Sequence, residues 1–180
     1  MKPIKTLYVS GYRSFELGIF QEKDPKITII KRALKKSLKM YLEAGLEWVI
    51  ISGNLGVEFW TSEVIPELKT DYPELKLGLI FPFYEFGNNW NEDNQQKLLT
   101  MKNNADYENS TSHQPYTSPV QLKNHTKFLL EKTQGCLLVY DPEYSGKTEY
   151  FYRDALKFQA DEDYLMETIG MFELQDIADE

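Results

Sequence analysis

The chain has 180 residues, 42% of them apolar and 14% aromatic, enough for one domain of ordinary size with a substantial core. Its formal net charge is -8, so the molecule as a whole repels nucleic acid and anionic lipid, and nucleic acid is not an expected partner. No signal peptide opens the sequence and no apolar run approaches the ~18 residues a transmembrane helix needs, so a cytoplasmic location without membrane insertion is expected.

Residues 6–10 read as a first strand, ended by Gly11. Over residues 26–44 the apolar positions Ile27, Ile30, Leu34, Leu38, Tyr41 and Leu42 recur at helical spacing, and Gly45 stops the helix. The same segment carries Lys26, Lys31, Arg32, Lys35, Lys36 and Lys39 with no acid among them, which reads first as a solvated face and second as a docking face. Residues 48–52 form the second strand and 57–69 the second helix, which Pro66 is expected to kink or shorten. A third strand over 75–81 is closed by Pro82, and a third helix over 91–104 has Asn91 as its cap. After a polar loop, a fourth helix over 118–132 carries Pro119 at its favoured first position. Residues 135–140 make a buried strand containing the single Cys136, which excludes an intramolecular disulfide and reads as an inert thiol. A fifth helix over 148–159 and a last strand over 164–169 precede an acidic end. Strand alternates with helix throughout, which predicts an α/β fold: three layers, Rossmann-like, with a mostly parallel sheet and helices on both faces. No linker or repeat divides the chain, and residues 1–180 read as one domain.

The most telling stretch is Trp48-Val49-Ile50-Ile51-Ser52-Gly53-Asn54-Leu55-Gly56-Val57-Glu58-Phe59-Trp60, a buried strand, a tight loop and a helix start. In an open α/β sheet, loops at the carboxyl ends of strands are where ligands bind. Gly53 and Gly56 permit positive φ and close approach, and the first helical turn suits an anion. The first strand leads into Gly11-Tyr12-Arg13, whose arginine offers a planar fork of donors to an anionic group. Both loops lie at the same sheet edge. Glu58 is favoured at a helix start by the dipole alone, yet beside such a loop it also suits a sugar hydroxyl or acid/base work.

Aromatic residues crowd the stretch Phe81-Pro82-Phe83-Tyr84-Glu85-Phe86-Gly87-Asn88-Asn89-Trp90, so Phe83, Tyr84 and Trp90 are candidates for base stacking and otherwise cover the core. His113 in the polar loop and His125 within a helix read mainly as surface or helix residues. Asp141-Pro142-Glu143-Tyr144-Ser145-Gly146-Lys147-Thr148 resembles a phosphate loop at its end only. Asp141 stands where the first glycine is required, and Glu143 adds negative charge, which argues against an ATPase. No nucleophile elbow and no clustered metal ligands occur, so neither a metal nor a cofactor is required.

Gly11-Tyr12-Arg13, Phe15-Glu16-Leu17-Gly18-Ile19-Phe20, Gly45-Leu46-Glu47-Trp48, Ser52-Gly53-Asn54-Leu55-Gly56-Val57-Glu58, Pro82-Phe83-Tyr84, Ala105-Asp106-Tyr107 and Tyr140-Asp141-Pro142 occur in that order. Together they resemble the YpsA-like family of small bacterial proteins within the SLOG superfamily. The resemblance implies a Rossmann-like fold related to the DNA-processing protein DprA and to the Lonely Guy phosphoribohydrolases. It implies a nucleotide-derived ligand at the loop matched by Ser52 to Glu58, and for some members a link to cell division. The Lonely Guy Pro-Gly-Gly-x-Gly-Thr loop is not matched; the comparable place here reads Asp141-Pro142-Glu143-Tyr144-Ser145-Gly146. Two functions follow as expectations. The first is a module that binds a small nucleotide-like molecule and signals to a protein partner, using Gly11, Tyr12, Arg13, Ser52, Gly53, Asn54, Gly56, Glu58, Tyr84 and Trp90. The second is a glycosidic-bond hydrolase with Glu58 as its catalytic carboxylate. Oligomeric state is left open by the sequence.

Overall fold

The computed structural model describes residues 2–180. Strands β1 (Thr6–Gly11), β2 (Trp48–Ile51), β3 (Lys76–Phe81), β4 (Tyr107–Ser110), β5 (Gly135–Val139) and β6 (Leu165–Ile169) build one sheet in the order β4-β3-β2-β1-β5-β6. Every neighbouring pair is parallel. The helices are α1 (Pro25–Glu43), α2 (Val57–Lys69), α3 (Glu92–Asn104), α4 (Val120–Lys132), α5 (Thr148–Asp161) and α6 (Met171–Ala178). The expected three-layer, Rossmann-like α/β architecture is present, with a sheet that is parallel throughout. From β1 the chain builds outward to β4, then returns to lay β5 on the other flank of β1, so the topological switch point lies between β1 and β5.

Alternation along the strands sorts the core into two halves. Leu7, Val9, Val49, Ile51, Leu77, Leu79, Leu137 and Val139 face one way, against Leu34 and Leu38 of α1, Val64 and Ile65 of α2, Met101 of α3 and Ile177 of α6. Tyr8, Cys136 and Leu138 face the other, against Leu129 and Leu130 of α4 and Phe151 and Ala155 of α5. Burial pushes the Cys136 thiol up to about 12, as an inert thiol requires. The second layer is smaller, and beside it lies an apolar groove of about 370 Å3 lined by Trp48, Ile50, Ile80, Tyr107 and Phe128. Among the described residues no helix is long and apolar enough to cross a membrane.

Three details depart from the sequence reading. The polar loop after α3 contains β4, an edge strand that pairs Tyr107 to Ser110 with Gly78 to Phe81. It buries no face of its own, so it shows no apolar alternation. The acidic end contains α6, opened by Gly170, whose amide donates to Glu173 Oε2 at 2.9 Å. Finally, α2 runs through Pro66 to Lys69. A proline at 66 leaves the Ser62 carbonyl without its helical donor, and the Asn104 side-chain amide supplies one at 3.0 Å.

The basic face of α1 is largely neutralised by its neighbours. Lys31 pairs with Glu63 at 2.9 Å and Lys35 with Glu67 at 3.5 Å, both acids of α2. Arg32 and Lys36 share Glu180 at 3.3 and 3.5 Å.

Candidate functional site

The carboxyl ends of β1 and β2 are joined by one buried carboxylate. Glu58 in the first turn of α2 is 1% exposed, and its side chain turns under the preceding loop. Oε1 accepts from the Ser52 amide at 2.6 Å and the Asn54 amide at 3.3 Å. Oε2 accepts from Ser10 Oγ at 2.7 Å, Asn54 Nδ2 at 2.9 Å and Tyr8 OH at 3.1 Å. A buried carboxylate is tolerated where donors surround it, and here five do. Its lone pairs are thereby committed to the protein.

From Glu58 the hydrogen bonds continue across the α4 side of the sheet. Ser52 Oγ donates to Tyr8 OH at 3.2 Å and lies 2.8 Å from His125 Nε2. His125 Nδ1 lies 3.0 Å from Thr111 Oγ1, so the ring uses one nitrogen as donor and the other as acceptor. Burial lowers the His125 pKa to about 4, and the ring is neutral at pH 7. Burial, then the Glu58 charge, raise the Tyr8 phenol far above its usual range, while the Ser10 and Ser52 hydrogen bonds and the charge of Arg13 pull the other way. Sequence reasoning placed little weight on His125 and did not nominate Tyr8, Ser10 or Thr111. Register brings Tyr8 opposite Ile50 on the neighbouring strand, and only the crossing of α4 delivers the histidine.

The glycines answer to close packing against neighbouring chain segments. Gly56 has φ +89, and a Cβ there would stand 2.4 Å from the Tyr12 carbonyl oxygen and 2.7 Å from Arg13 Cα. That same carbonyl accepts the Val57 amide at 3.0 Å, so the start of α2 is bolted to the β1 loop. Gly53 has φ +95, and a Cβ there would lie 2.5 Å from the Phe81 ring. Gly11 ends β1 opposite Val139 and has no room for a side chain, since a Cβ would sit 2.6 Å from the Val139 carbonyl oxygen.

Tyr12 fills the switch point. Its ring is 2% exposed and 5.6 Å from that of Tyr140. Its hydroxyl donates to the Tyr144 carbonyl at 2.7 Å and accepts the Asp141 amide at 3.0 Å. Both oxygens of Asp141 are committed to backbone: Oδ1 accepts the Glu143 amide at 3.0 Å and Oδ2 the Met171 amide at 3.1 Å. The start of α5 already carries a carboxylate, because Glu16 Oε2 accepts the Lys147 amide at 2.8 Å. The Lys147 ammonium lies 5.7 Å over the Phe15 ring.

Arg13 is different. Its side chain makes one hydrogen bond, Nη1 to the Gly11 carbonyl at 3.2 Å, and among the described residues it has no ion-pair partner. It is a half-buried cation beside the joined loops. The structure thus gathers Gly11, Tyr12, Arg13, Ser52, Gly53, Asn54, Gly56 and Glu58 at one sheet edge. The aromatic loop follows β3 at the same edge and is packed on itself: Trp90 lies edge-on to Phe86 at 5.4 Å, and Phe86 packs onto Phe81 and Phe83. Tyr84 is 54% exposed, with its amide bound to the Gln114 carbonyl. Among the described residues no group of three or more His, Cys, Asp or Glu side chains stands where it could hold a metal ion.

A model for YpsA, described as the YspA SLOG family, matches residues 7–174. A protein of Enterococcus faecalis, named UPF0398 protein, is 64% identical over 175 residues and 97% of each chain. UPF0398 proteins of Ligilactobacillus salivarius and Oenococcus oeni are 46% and 47% identical, over 96% and 97% of this chain and 94% of their own lengths. Family match and relatives coincide over nearly the whole sequence, and the chain belongs to the YpsA family of SLOG proteins.

Proposed function

We propose that this protein binds a small, nucleotide-derived anion at the carboxyl edge of its sheet and passes the bound state to a protein partner. The observation that carries the reading is an unpaired Arg13 standing beside a loop pair that Glu58 holds fixed. A guanidinium with a single backbone hydrogen bond keeps most of its donors for a phosphate or carboxylate. The rigid loops behind it reduce the ordering cost of binding.

The same geometry weighs against hydrolysis. A catalytic carboxylate must reach the water or sugar it activates. Glu58 is 1% exposed and saturated by five donors, so it acts here as the residue that positions Ser10, Ser52 and Asn54. Tyr84, on an exposed part of the aromatic loop, is a surface through which a bound state can be read by a partner; cell division is the process the resemblance suggests. Native mass spectrometry of freshly purified protein tests the reading by the mass of a retained ligand. Calorimetry with that ligand should then show a loss of at least about tenfold in Arg13→Ala, the scale of one charge-assisted contact. Equal affinity in the two proteins would remove Arg13 from the site, and turnover of the ligand abolished by Glu58→Gln would restore the hydrolase.

A further inference from the structure

A second cavity lies between α1, α2 and α3, and apart from the Lys31–Glu63 pair its lining takes no part in the interactions described above. It encloses about 700 Å3 and is floored by Phe59 and Trp60 of α2. Its walls are Ile27 and Lys31 of α1 and Asp93, Gln96, Lys97 and Thr100 of α3, and its rim is the segment from Ser14 to Glu22. The volume is that of a small-molecule site, which ordinarily spans about 300–1,000 Å3.

Three features define what would fit. Phe20 is 80% exposed, although the preceding Ile19 is anchored at 3%. A large aromatic ring left in water at the mouth of a cavity is a surface waiting for a flat partner. Neutral groups with both donors and acceptors line the sides: Ser14, Gln21, Gln96 and Thr100. Lys97 is a cation without a carboxylate partner among the described residues, and its ammonium rests 5.9 Å over the face of Phe59. The other cation, Lys31, is already paired with Glu63. Glu22 and Asp93 also line the cavity, with no ion-pair partner among the described residues; a flat ring adds to the aromatic surface of Phe20, Phe59 and Trp60 and leaves Lys97 as the cation for an anionic substituent.

We infer that this groove takes the planar heteroaromatic ring of a nucleotide-type ligand, stacked against Phe20 and read at its edge by Gln96, while the anion of the same ligand meets Arg13. The inference rests on the function proposed above and says where the base lies. Ser14 supplies the connection, because it lines the groove and directly follows Arg13 in the chain. The base is thereby moved from the aromatic loop, whose Trp90 and Phe86 are packed on each other, to the groove floored by Phe59 and Trp60 of α2.

The test uses adenosine, guanosine, cytidine and uridine 5′-monophosphates, with inorganic pyrophosphate as the base-free probe, titrated by calorimetry. Phe20→Ala suits it, since a ring 80% exposed contributes little to folding. At least one monophosphate should lose about tenfold in affinity in Phe20→Ala, the low end of base–aromatic stacking. Gln96→Ala should change the ranking among the bases, and neither variant should alter pyrophosphate binding, which Arg13→Ala should weaken. Monophosphate binding that is equal in wild type, Phe20→Ala and Gln96→Ala overturns the groove assignment and leaves the proposed function standing. So does pyrophosphate binding through Arg13 that no base improves. If neither pyrophosphate nor any monophosphate binds the wild type, the proposed function fails and the groove assignment with it.

Discussion

Replacing Glu58 by glutamine keeps the shape of the side chain and removes its charge, and the structure fixes what that costs. The amide oxygen can stay on the Ser52 and Asn54 amides, in place of Oε1. The amide nitrogen then replaces Oε2 and faces Asn54 Nδ2, donor against donor, while Ser10 and Tyr8 must turn their hydroxyls to accept. Hydrogen bonds to a charged group contribute about 1.5–3 kcal/mol and neutral ones about 0.5–1.5, so the two backbone contacts weaken by about 1 kcal/mol each. Losing the Asn54 contact adds about 1 more, for a total near 3 kcal/mol. A carboxylate that merely complements a helix dipole is worth about 0.3–1 kcal/mol. Urea denaturation at pH 7 separates the two. With a slope near ~2 kcal/mol/M, the midpoint should fall by about 1.5 M, and the melting temperature by about 6–12 °C. A loss below about 1 kcal/mol would refute the clamp and return Glu58 to a capping role. Unchanged stability with lost ligand affinity would instead make Glu58 a direct contact.

Gly56→Ala should cost at least about 3 kcal/mol in the same assay, because strain at positive φ is joined by a 2.4 Å collision with backbone that cannot swing aside; a cost under about 1 kcal/mol would mean the two loops separate easily. Asn104→Ala should lose about 1 kcal/mol by stripping the donor from the Ser62 carbonyl, and restoring that donor through Pro66→Ala in the same chain should recover part of it. His125 has a folded pKa of about 4 against 6.5 for the free side chain, so the unfolded chain takes up its proton first as pH falls. Its contribution is fully present above about pH 6.5 and is lost on the way down to about pH 4. Between pH 7 and pH 5 the wild type should lose about 2 kcal/mol more than His125→Gln, measured by urea midpoints at each pH; parallel curves would place the ring in contact with water.

Five of the strands were legible, the inner ones because a parallel strand covered by helices writes a continuous apolar run, as the fully buried Gly135 to Val139 does. The edge strand β4, with Tyr107, Glu108 and Asn109 exposed, writes nothing of the kind and is held by its register to β3. Helix α6 buries only Ile177 among its residues, so its apolar face was too narrow to stand out from the acidic end. Pro66 does not shorten α2, for another reason: the broken hydrogen bond is repaired by Asn104, a residue 42 positions from Ser62. At the site, the glycines and Glu58 could be read from local pattern, because turn and helix start are local events. What Glu58 binds could not. Tyr8, Ser10 and His125 reach it or its loop through strand register and helix crossing, which no spacing along the chain records. Arg13 was legible as a donor, but its lack of an ion-pair partner was a property of the assembled fold.

The bolt between the two loops also decides which parts of the site can respond on the timescale of binding. The Ser52 amide is held by Glu58 and the Val57 amide by the Tyr12 carbonyl, in a region where neighbouring side chains are buried. Both amides are buried and bonded within the core of the site, so they should exchange with deuterium only as fast as the whole molecule unfolds. The segment holding Phe20 has no such attachment, since Phe20, Gln21, Glu22 and Lys23 are all exposed. A ligand at this edge therefore meets a floor that stays fixed and a rim that can move. The exposed residues between Arg13 and Asp24 join Tyr84 as surface from which a partner protein can read the bound state.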